Sequence, residues 1–308
     1  MKKLDNLILF DCHVHVGFSL QNYFDSKAVY MQSIDEVLLR MEKNDIDYSI
    51  IFPFPEDNKY KVDKIITESK KIFVEESFQY KNSNIKMLQE IKRKNIKNLL
   101  SFVMINTNDN INEITDFIEK NIKYIYGIKI NTVASKVSPE DIEKSTFTDI
   151  CEKYNLPIIF HTRACEKKYN YKSVLNFAKK FPKIKVCVSH AGGFSKNFFE
   201  EIKDYENVFF DISPLHYLCY HADMNNKKII SKDKLLLNYK DYKAVLIELL
   251  KISPTKLLFG TDSPVGIVNF NKDGYNDNIN ILKSLNYESL KQIEFNTICF
   301  LGGKNGKI

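Results

Sequence analysis

Short apolar runs of strand length alternate with longer amphipathic stretches along the whole chain. Eight of these runs are nearly continuous in Ile, Val, Leu and Phe, and we predict them to be strands: residues 7–15, 48–55, 98–107, 125–131, 156–162, 184–190, 207–213 and 256–264. Strands of this composition, each followed by a helix, are typical of a parallel sheet that is buried on both faces. The pattern therefore predicts an α/β protein.

Between the strands, apolar residues recur at helical spacing. We predict six helices from this spacing, over residues 33–44, 111–121, 138–154, 171–181, 195–205 and 241–251. Ser33 with Glu36 three positions later is typical of a capped helix start. Ser138 followed by Pro139 indicates a second start of this kind.

The number of strand–helix units favours a closed barrel. Eight units without a Pro/Gly/Ser-rich linker predict one (β/α)8 TIM-barrel domain over residues 1–308. An open doubly wound sheet is the alternative, but the Gly-rich turn of a dinucleotide fold is missing after the first strand. Strands two and three are separated by a long Lys/Glu-rich stretch, residues 58–97. We expect a helical insertion there, either an excursion or lid over the barrel mouth or a helix pair on the outside.

Composition narrows the classes of function. The 45 Lys+Arg stand against 39 Asp+Glu, so the net charge of +6 is spread over a balanced surface. Only Arg40, Arg93 and Arg163 are arginines, and arginine supplies the bidentate contacts of nucleic-acid recognition, so we predict no nucleic-acid partner. No run approaches 18 apolar residues, so no membrane span is predicted. The six scattered cysteines form no Cys-x-x-Cys pair, which predicts reduced thiols in a cytoplasmic protein.

Candidate chemistry gathers at the carboxyl ends of the predicted strands. Four of the six histidines, His13, His15, His161 and His190, lie at such ends, and Asp262 ends the eighth strand in the same way. In a barrel these ends converge on one mouth, and side chains two positions apart on a strand face the same side. Imidazoles with a carboxylate form an N/O site that suits zinc, manganese or iron.

Six segments carry a resemblance to a known family. They are Asp11-Cys-His-Val-His15, Gly127-Ile-Lys-Ile130, Leu156-Pro-Ile-Ile-Phe-His-Thr162, Val188-Ser-His-Ala-Gly-Gly193, Asn207-Val-Phe-Phe-Asp211 and Leu258-Phe-Gly-Thr-Asp-Ser-Pro264. Together they resemble the amidohydrolase superfamily, in particular its amidohydrolase-related branch of metal-dependent hydrolases and decarboxylases. The resemblance implies that His13, His15, His161 and Asp262 are metal ligands. It implies that His190 is either a ligand of a second metal or the residue that polarises substrate or water.

The resemblance also implies a mechanism. A bound divalent metal, most simply one zinc ion with manganese or iron as alternatives and a second metal left open, lowers the pKa of a water to about 7. Asp262 then takes the proton and returns it to the leaving group, while His190 stabilises the developing oxyanion. Asp11 is not needed as a ligand, and we expect it either to orient the site from behind or to make a plain strand-end hydrogen bond.

Other polar residues near the predicted mouth have open roles. Lys129 is either a carbamylated bridge between two metals, a cation that binds substrate in the pocket, or a structural residue. Arg163 either clamps a substrate carboxylate or phosphate or forms a rim salt bridge. His216 and His221 follow strand seven in what we predict to be a loop, where a surface or packing role is favoured over substrate contact. Asp211 either faces the pocket or caps the loop.

These observations favour a metal-dependent hydrolase of a small lactone, amide or ester. The alternative is a non-oxidative decarboxylase of an aromatic or unsaturated acid, since the same branch contains both. A TatD-like nuclease is prompted by residues 161–164 and 261–264, but such nucleases have a glutamate where this chain has Lys129 or its neighbours. A non-catalytic barrel is disfavoured because the ligand set is present. We expect a small-molecule substrate and leave a homodimer open.

Overall fold

The structure is a computed structural model that describes residues 7–19, 30–55, 67–68, 77–265 and 274–302. Nine strands form one curled sheet: β1 (Phe10–Phe18), β2 (Met31–Gln32), β3 (Tyr48–Pro53), β4 (Leu99–Met104), β5 (Gly127–Asn131), β6 (Ile158–His161), β7 (Val186–Val188), β8 (Val208–Asp211) and β9 (Leu257–Leu258). In order across the sheet they run β2-β1-β3-β4-β5-β6-β7-β8-β9. The mixed α/β class and all eight predicted strands are thereby confirmed.

Eleven α-helices are described between and after these strands. They are α1 (Ile34–Lys43), α2 (Lys81–Lys94), α3 (Ile111–Asn121), α4 (Thr132–Ser135), α5 (Thr146–Lys153), α6 (Tyr171–Lys180), α7 (Lys196–Glu201), α8 (Leu215–Asp223), α9 (Tyr242–Ile252), α10 (Gly274–Lys283) and α11 (Tyr287–Phe300). Short 3-10 turns add Ile122–Tyr124, Pro139–Asp141, Lys167–Tyr169 and Ile202–Asp204.

Parallel pairing explains why the strands are so apolar. All neighbours from β1 and β3 through β9 pair in parallel, while the two-residue β2 pairs antiparallel with β1. Strand residues such as Ile50, Ile128 and Ile158 are completely buried. A parallel sheet that is covered on both faces has no polar side to expose, which accounts for the continuous runs of Ile, Val and Phe.

The last strand is much shorter than its apolar run. β9 ends at Leu258, and the following residues form backbone hydrogen bonds with β1: Cys12 N to Phe259 O, Asp262 N to His13 O and His15 N to Ser263 O, each 2.8 Å. This segment turns at Asp262, whose φ of 56° lies in the left-handed region. The change of partner brings the end of the last strand onto the residues of β1 that carry the predicted ligands.

The helix starts predicted at Ser33 and Ser138 have opposite outcomes. The capping box at Ser33 is confirmed, because Ser33 Oγ accepts the Glu36 N–H while the Glu36 carboxylate accepts the Ser33 N–H. The single helix over 138–154 is wrong. Ile142 adopts an extended backbone after the Pro139–Asp141 turn, and α5 begins anew at Thr146. Ser138 makes no cap, since its hydroxyl donates to Lys168 O instead.

The loop predicted after strand seven is also wrong, because residues 215–223 form α8. Residues 58–66 and 69–76 of the stretch 58–97, where an excursion or lid is predicted, lie outside the described residues, and α2 lies in the described remainder. Within α2, the buried Asn84 side chain pairs with both backbone groups of Met104 and so ties the helix to β4. No helix among the described residues is long and apolar enough to cross a membrane.

Candidate metal centre

Two strand ends and the turn after β9 bring three ligand-type atoms together. His13 Nε2 lies 3.5 Å and His15 Nε2 lies 3.3 Å from Asp262 Oδ1, and all three side chains are buried. One ligand atom from each lies within 4.8 Å of the other two. The turn can approach this closely because Gly260 has no side chain: a Cβ there would stand 2.7 Å from His13 Cβ. The two histidines therefore share one side of β1, as their spacing predicts.

Hydrogen bonds behind the rings determine where the histidine protons lie. His13 Nδ1 contacts Asp211 Oδ2 at 2.9 Å, and His15 Nδ1 contacts the Pro53 carbonyl at 3.3 Å. Since both oxygens can only accept, each Nδ1 carries the hydrogen and each Nε2 presents a lone pair. Two nitrogen lone pairs thus face the Asp262 carboxylate, an arrangement of acceptors that a cation stabilises.

The donor set fits a small divalent cation. Bonds of about 2.0–2.1 Å in a tetrahedral zinc site put neighbouring ligand atoms about 3.3–3.4 Å apart, close to the 3.3 and 3.5 Å spacings around Asp262. Burial lowers the pKa of His13 to about 4, with Lys129 acting in the same direction, and burial also lowers the pKa of His15. Both rings are neutral at pH 7, which is the protonation state that a metal ligand needs.

Asp262 is ionised in this environment. Burial is the largest single influence on its pKa and raises it, but the positive charge that His13 and His15 carry when protonated outweighs burial and brings the pKa below its ordinary value. Asp262 also holds a left-handed backbone, a conformation that is costly for most residues and better tolerated by aspartate. The carboxylate is therefore positioned by its backbone as well as by its neighbours.

Lys129 lies underneath the three ligand-type atoms. Its ammonium is 3.3 Å from His13 Nε2 and 4.4 Å from the centre of the Phe52 ring, and it is 1% exposed. Burial lowers its pKa to about 8. Lys129 does not line the cavity that the described residues form.

A second pair of histidines faces the first. His190 Nε2 lies 2.9 Å from His161 Nδ1, and His190 Nδ1 donates to the Ser213 carbonyl. With that hydrogen on Nδ1, His190 Nε2 is the acceptor for His161 Nδ1–H, which leaves His161 Nε2 as the nitrogen available to a metal. Burial, followed by His190, lowers the pKa of His161 well below its ordinary value. His161 is not part of the group of three that lies within 4.8 Å.

The turn that carries His190 is left-handed throughout. His190, Ala191, Gly192, Gly193 and Phe194 have φ values of 63°, 50°, 55°, 67° and 60°. Each non-glycine residue in this conformation costs roughly 1–2 kcal/mol, so the surrounding contacts must hold the turn in place. The two glycines are also sterically required, since a Cβ on Gly193 would stand 2.5 Å from Ala164 Cβ.

Asp211 connects the two pairs and was left without a role by sequence reasoning. It ends β8 and is completely buried. While Oδ2 contacts His13, Oδ1 accepts from His190 N at 3.1 Å, from Ser213 N at 3.0 Å and from Ser213 Oγ at 2.6 Å. Burial raises its pKa, but His13 and Lys129 outweigh burial and hold the pKa far below its usual range. The available signal was its place at a strand end beside the other candidates.

A cavity of about 900 Å³ opens above the site. The ligand-type residues His15, His161, His190 and Asp262 lie on its wall. Its outer part carries cationic, amide and aromatic groups from Asn131, Arg163, Tyr217 and Lys228. Arg163 is half exposed and pairs with Glu166 at 2.7 Å, so it makes a rim salt bridge and borders the cavity at once.

The remaining candidates lie behind the site or away from it. Asp11 accepts from Thr261 N at 2.9 Å, Thr261 Oγ1 at 2.6 Å and His13 N at 3.3 Å, and burial raises its pKa to about 7. It thus ties β1 to the residue before Asp262. His216 contacts the Asn278 amide and His221 the Asn226 amide, and neither histidine is among the described residues that line the cavity.

Comparison with known proteins assigns the chain to a family. Residues 76–269, more than half of the chain, match the amidohydrolase family model, and the chain belongs to this family, whose members include hydrolases and decarboxylases. The match includes His161, His190 and Asp262, whereas His13 and His15 precede it. No curated protein sequence matches the chain.

Solved structures share the fold at low sequence identity. A probable 2-pyrone-4,6-dicarboxylic acid hydrolase from Acinetobacter baumannii, with citric acid bound, is 13% identical with a TM-score of 0.61, over 96% of this chain and 99% of that chain. The 2,6-dihydroxybenzoate decarboxylase from Rhizobium is 12% identical with a TM-score of 0.60, over 97% and 99%. The 5-carboxyvanillate decarboxylase from Sphingomonas paucimobilis is 12% identical with a TM-score of 0.55, over 96% and 99%.

Proposed function

We propose that the protein is a metal-dependent hydrolase that acts on a small organic substrate such as a lactone, amide or ester. The observation that carries this proposal is the convergence of His13 Nε2, His15 Nε2 and Asp262 Oδ1 within 4.8 Å on the wall of a cavity. A cavity of about 900 Å³ is of the size that holds a small molecule. Its position at the carboxyl ends of parallel strands is typical of active sites in α/β enzymes.

We also propose that the curled sheet closes into one (β/α)8 barrel and that residues 1–308 form a single domain. The backbone hydrogen bonds between β1 and residues 259–263 support closure, because they join the first parallel strand to the end of the last. An excursion or lid within 58–97 stays a prediction, as do a homodimer and a cytoplasmic location.

In this proposal one divalent cation, zinc with manganese or iron as alternatives, is held by His13, His15, His161 and Asp262. When bound, such a cation lowers the pKa of water to about 7 and so supplies a nucleophile at neutral pH. The protein contributes neutral imidazoles whose Nε2 lone pairs are directed by Asp211, Pro53 and His190. A second cation is disfavoured in this proposal. It would need a carbamylated Lys129 as a bridge, whereas the Lys129 ammonium lies 3.3 Å from His13 Nε2.

Proton transfer is assigned to Asp262. Its ionised carboxylate accepts a proton during attack and returns it to the leaving group. His190 is assigned to polarise the substrate, which requires its contact with His161 to open and Nε2 to carry a hydrogen, because Nδ1 donates to Ser213 and Nε2 accepts from His161 in the structure. Arg163 at the cavity wall is assigned to an anionic substrate group, in exchange for Glu166.

Decarboxylation of an unsaturated or aromatic acid is the second candidate. Two of the structural neighbours are decarboxylases by description, and the cations Arg163 and Lys228 on the cavity wall suit a carboxylate. The two reactions differ in their products: hydrolysis consumes water and releases an acid, whereas decarboxylation releases carbon dioxide. A screen of lactones, amides, esters and carboxylic acids with carbon dioxide detection distinguishes them.

Elemental analysis of the purified protein beside His161→Ala is the test. About one zinc, manganese or iron per chain that disappears in the variant supports the proposal, and about two per chain moves Lys129 to a bridging role and His190 to a ligand role. His221→Ala is the matched control, since His221 makes an amide contact away from the cavity wall, and it must keep the metal. No metal after loading with excess zinc or manganese overturns both candidate reactions and leaves a non-catalytic barrel.

A further inference from the structure

We propose that Asp211 is a positioning residue that sets the tautomer of His13 and thereby turns the His13 Nε2 lone pair toward the cation site. The inference rests on the proposed function for its consequence, metal binding, but not for its structural part. Asp211 ends β8 and His13 lies on β1, 198 positions away in the sequence, so only the folded sheet brings them together.

The two oxygens of Asp211 have separate tasks. Oδ1 accepts three hydrogen bonds, from His190 N, Ser213 N and Ser213 Oγ. Oδ2 receives His13 Nδ1 at 2.9 Å, with Cys187 Sγ as a weaker donor at 3.6 Å. Because the donors on Oδ1 include two backbone amides, the orientation of the whole group is fixed by the chain around it.

A contact on the other side of the His13 ring agrees with this tautomer. The Lys129 ammonium lies 3.3 Å from Nε2 and has hydrogens to donate and no lone pair to accept with. A ring with its hydrogen on Nδ1 satisfies Asp211 and Lys129, whereas the opposite tautomer faces an acceptor with an acceptor and a donor with a donor. Asp262 Oδ1 could accept from Nε2, but at 3.5 Å it is more distant than Asp211 Oδ2, which lies 2.9 Å from Nδ1. His13 and Asp211 are almost completely buried, so water is not there to correct a mismatch.

Asp211→Asn inverts this arrangement without changing the shape of the side chain. The amide oxygen must occupy the Oδ1 position, since three donors meet there. The amide NH₂ then faces His13 Nδ1 and donates to it, which moves the ring hydrogen to Nε2. A protonated Nε2 cannot ligate a metal. We therefore expect the variant to keep its fold but to hold His13 in the tautomer that does not bind a metal.

The decisive measurement is nitrogen NMR of metal-free protein labelled with ¹⁵N-histidine, with the His13 signals assigned by their loss in His13→Gln. We expect hydrogen on Nδ1 in the unaltered protein and on Nε2 in Asp211→Asn. In zinc titrations against a competing chelator, we expect the affinity of Asp211→Asn to fall on the order of 100-fold. Asp109→Asn is the matched control, because the Asp109 carboxylate accepts the Gln79 N–H and, among the described residues, forms no hydrogen bond with a histidine.

The outcomes are separable. Hydrogen on His13 Nε2 in the unaltered protein overturns the inference, and this result does not depend on whether Asp211→Asn folds. Unchanged zinc affinity in Asp211→Asn, with Asp109→Asn also unchanged, overturns it as well. An inverted tautomer in Asp211→Asn together with no zinc binding by the unaltered protein supports the positioning role of Asp211 and overturns the proposed metal-dependent function.

Discussion

The two pairs of histidines that face each other across the site are held by different means. His13 and His15 lie on one strand and meet the Asp211 and Asp262 carboxylates. His161 and His190 lie on different elements, contact each other at 2.9 Å, and meet a backbone carbonyl behind them. The first pair depends mainly on buried carboxylates. The second depends mainly on the conformation of a strained left-handed turn, to which Asp211 Oδ1 contributes one hydrogen bond from His190 N.

This difference separates two ways of orienting a histidine ring. A carboxylate behind a ring fixes the tautomer and adds electron density, but its buried charge makes the pair sensitive to pH and to charge-removing substitutions. A turn that fixes a ring through backbone geometry adds no charge of its own but stores conformational strain. Substitutions on the two sides should therefore change different properties of the protein.

The largest expected effect is on metal affinity, from the carboxylate side. Asp262→Asn removes the anionic donor and keeps the left-handed backbone, which asparagine tolerates, so the fold should persist. Zinc affinity should fall by more than the roughly 10- to 100-fold that is typical of losing a contact behind a ligand. The same chelator competition measures it. Unchanged affinity would move the ligand set to the side of His161 and His190.

On the turn side, the largest effect is on stability. Gly193→Ala combines a φ of 67° with a Cβ that would lie 2.5 Å from Ala164 Cβ, and we expect a loss of about 3 kcal/mol in the free energy of unfolding. Urea denaturation measures it. Gly302→Ala is the matched control, since its φ of 79° carries the same penalty but its nearest neighbour is the end of the Asn155 side chain. Equal losses in both variants would show that packing against Ala164 contributes nothing.

The pH dependence of stability should report on Asp11, whose carboxyl group accepts the His13 N–H. The pKa of Asp11 is raised by burial to about 7 from the 3.8 of the unfolded chain, so between pH 4 and 7 the folded protein binds more protons at this site. This site therefore removes stability as the pH rises, by up to about 1.4 kcal/mol per pH unit. Asp11→Asn abolishes that dependence.

From pH 5 to pH 7 the variant should accordingly gain about 2 kcal/mol relative to the unaltered metal-free protein. The histidines, whose lowered pKa values act in the opposite sense, are present in both proteins and cancel in the difference. Thermal or urea unfolding at both pH values measures the change. A difference that does not vary with pH would mean that Asp11 is ionised in the folded protein.

The smallest effect should be a gain, again on the turn. Ala191→Gly relieves a residue with a φ of 50°, and we expect about 1 kcal/mol of added stability. Ala178→Gly, within α6, is the opposite control and should lose about 1 kcal/mol. If Ala191→Gly also loses stability, the turn is not strained at this position.

Much of this architecture could be predicted from sequence because it depends on local pattern. Continuous apolar runs indicate buried parallel strands, and a polar residue that interrupts such a run at its end indicates the mouth of the sheet. His13, His15 and Asp262 were found in this way. Helix α8 was not, since its residues mix apolar, aromatic and polar side chains and Pro214 at its start provides no side-chain cap.

The support behind the ligands could not be predicted, because it depends on distances between strands. Asp211 was visible as a strand-end residue, but nothing in the sequence indicates that its two oxygens serve different partners. The contact between His161 and His190 depends on a run of left-handed residues. In the sequence, Gly192 and Gly193 are the only indication of this conformation. The sequence also left three possible roles for Lys129, because its contact with His13 joins two separate strands, β5 and β1.

The contact of Asp11 with Thr261 spans 250 positions of the sequence. During synthesis at about 5–20 residues per second, the first strand waits roughly 12–50 seconds before this partner exists. Through that interval Asp11 has no Thr261 to donate to it, and His13 and His15 lack Asp262. The site therefore cannot assemble on a growing chain. Any protein truncated before its last strand, by a stalled ribosome or a premature stop, carries the histidines without the carboxylate that completes them.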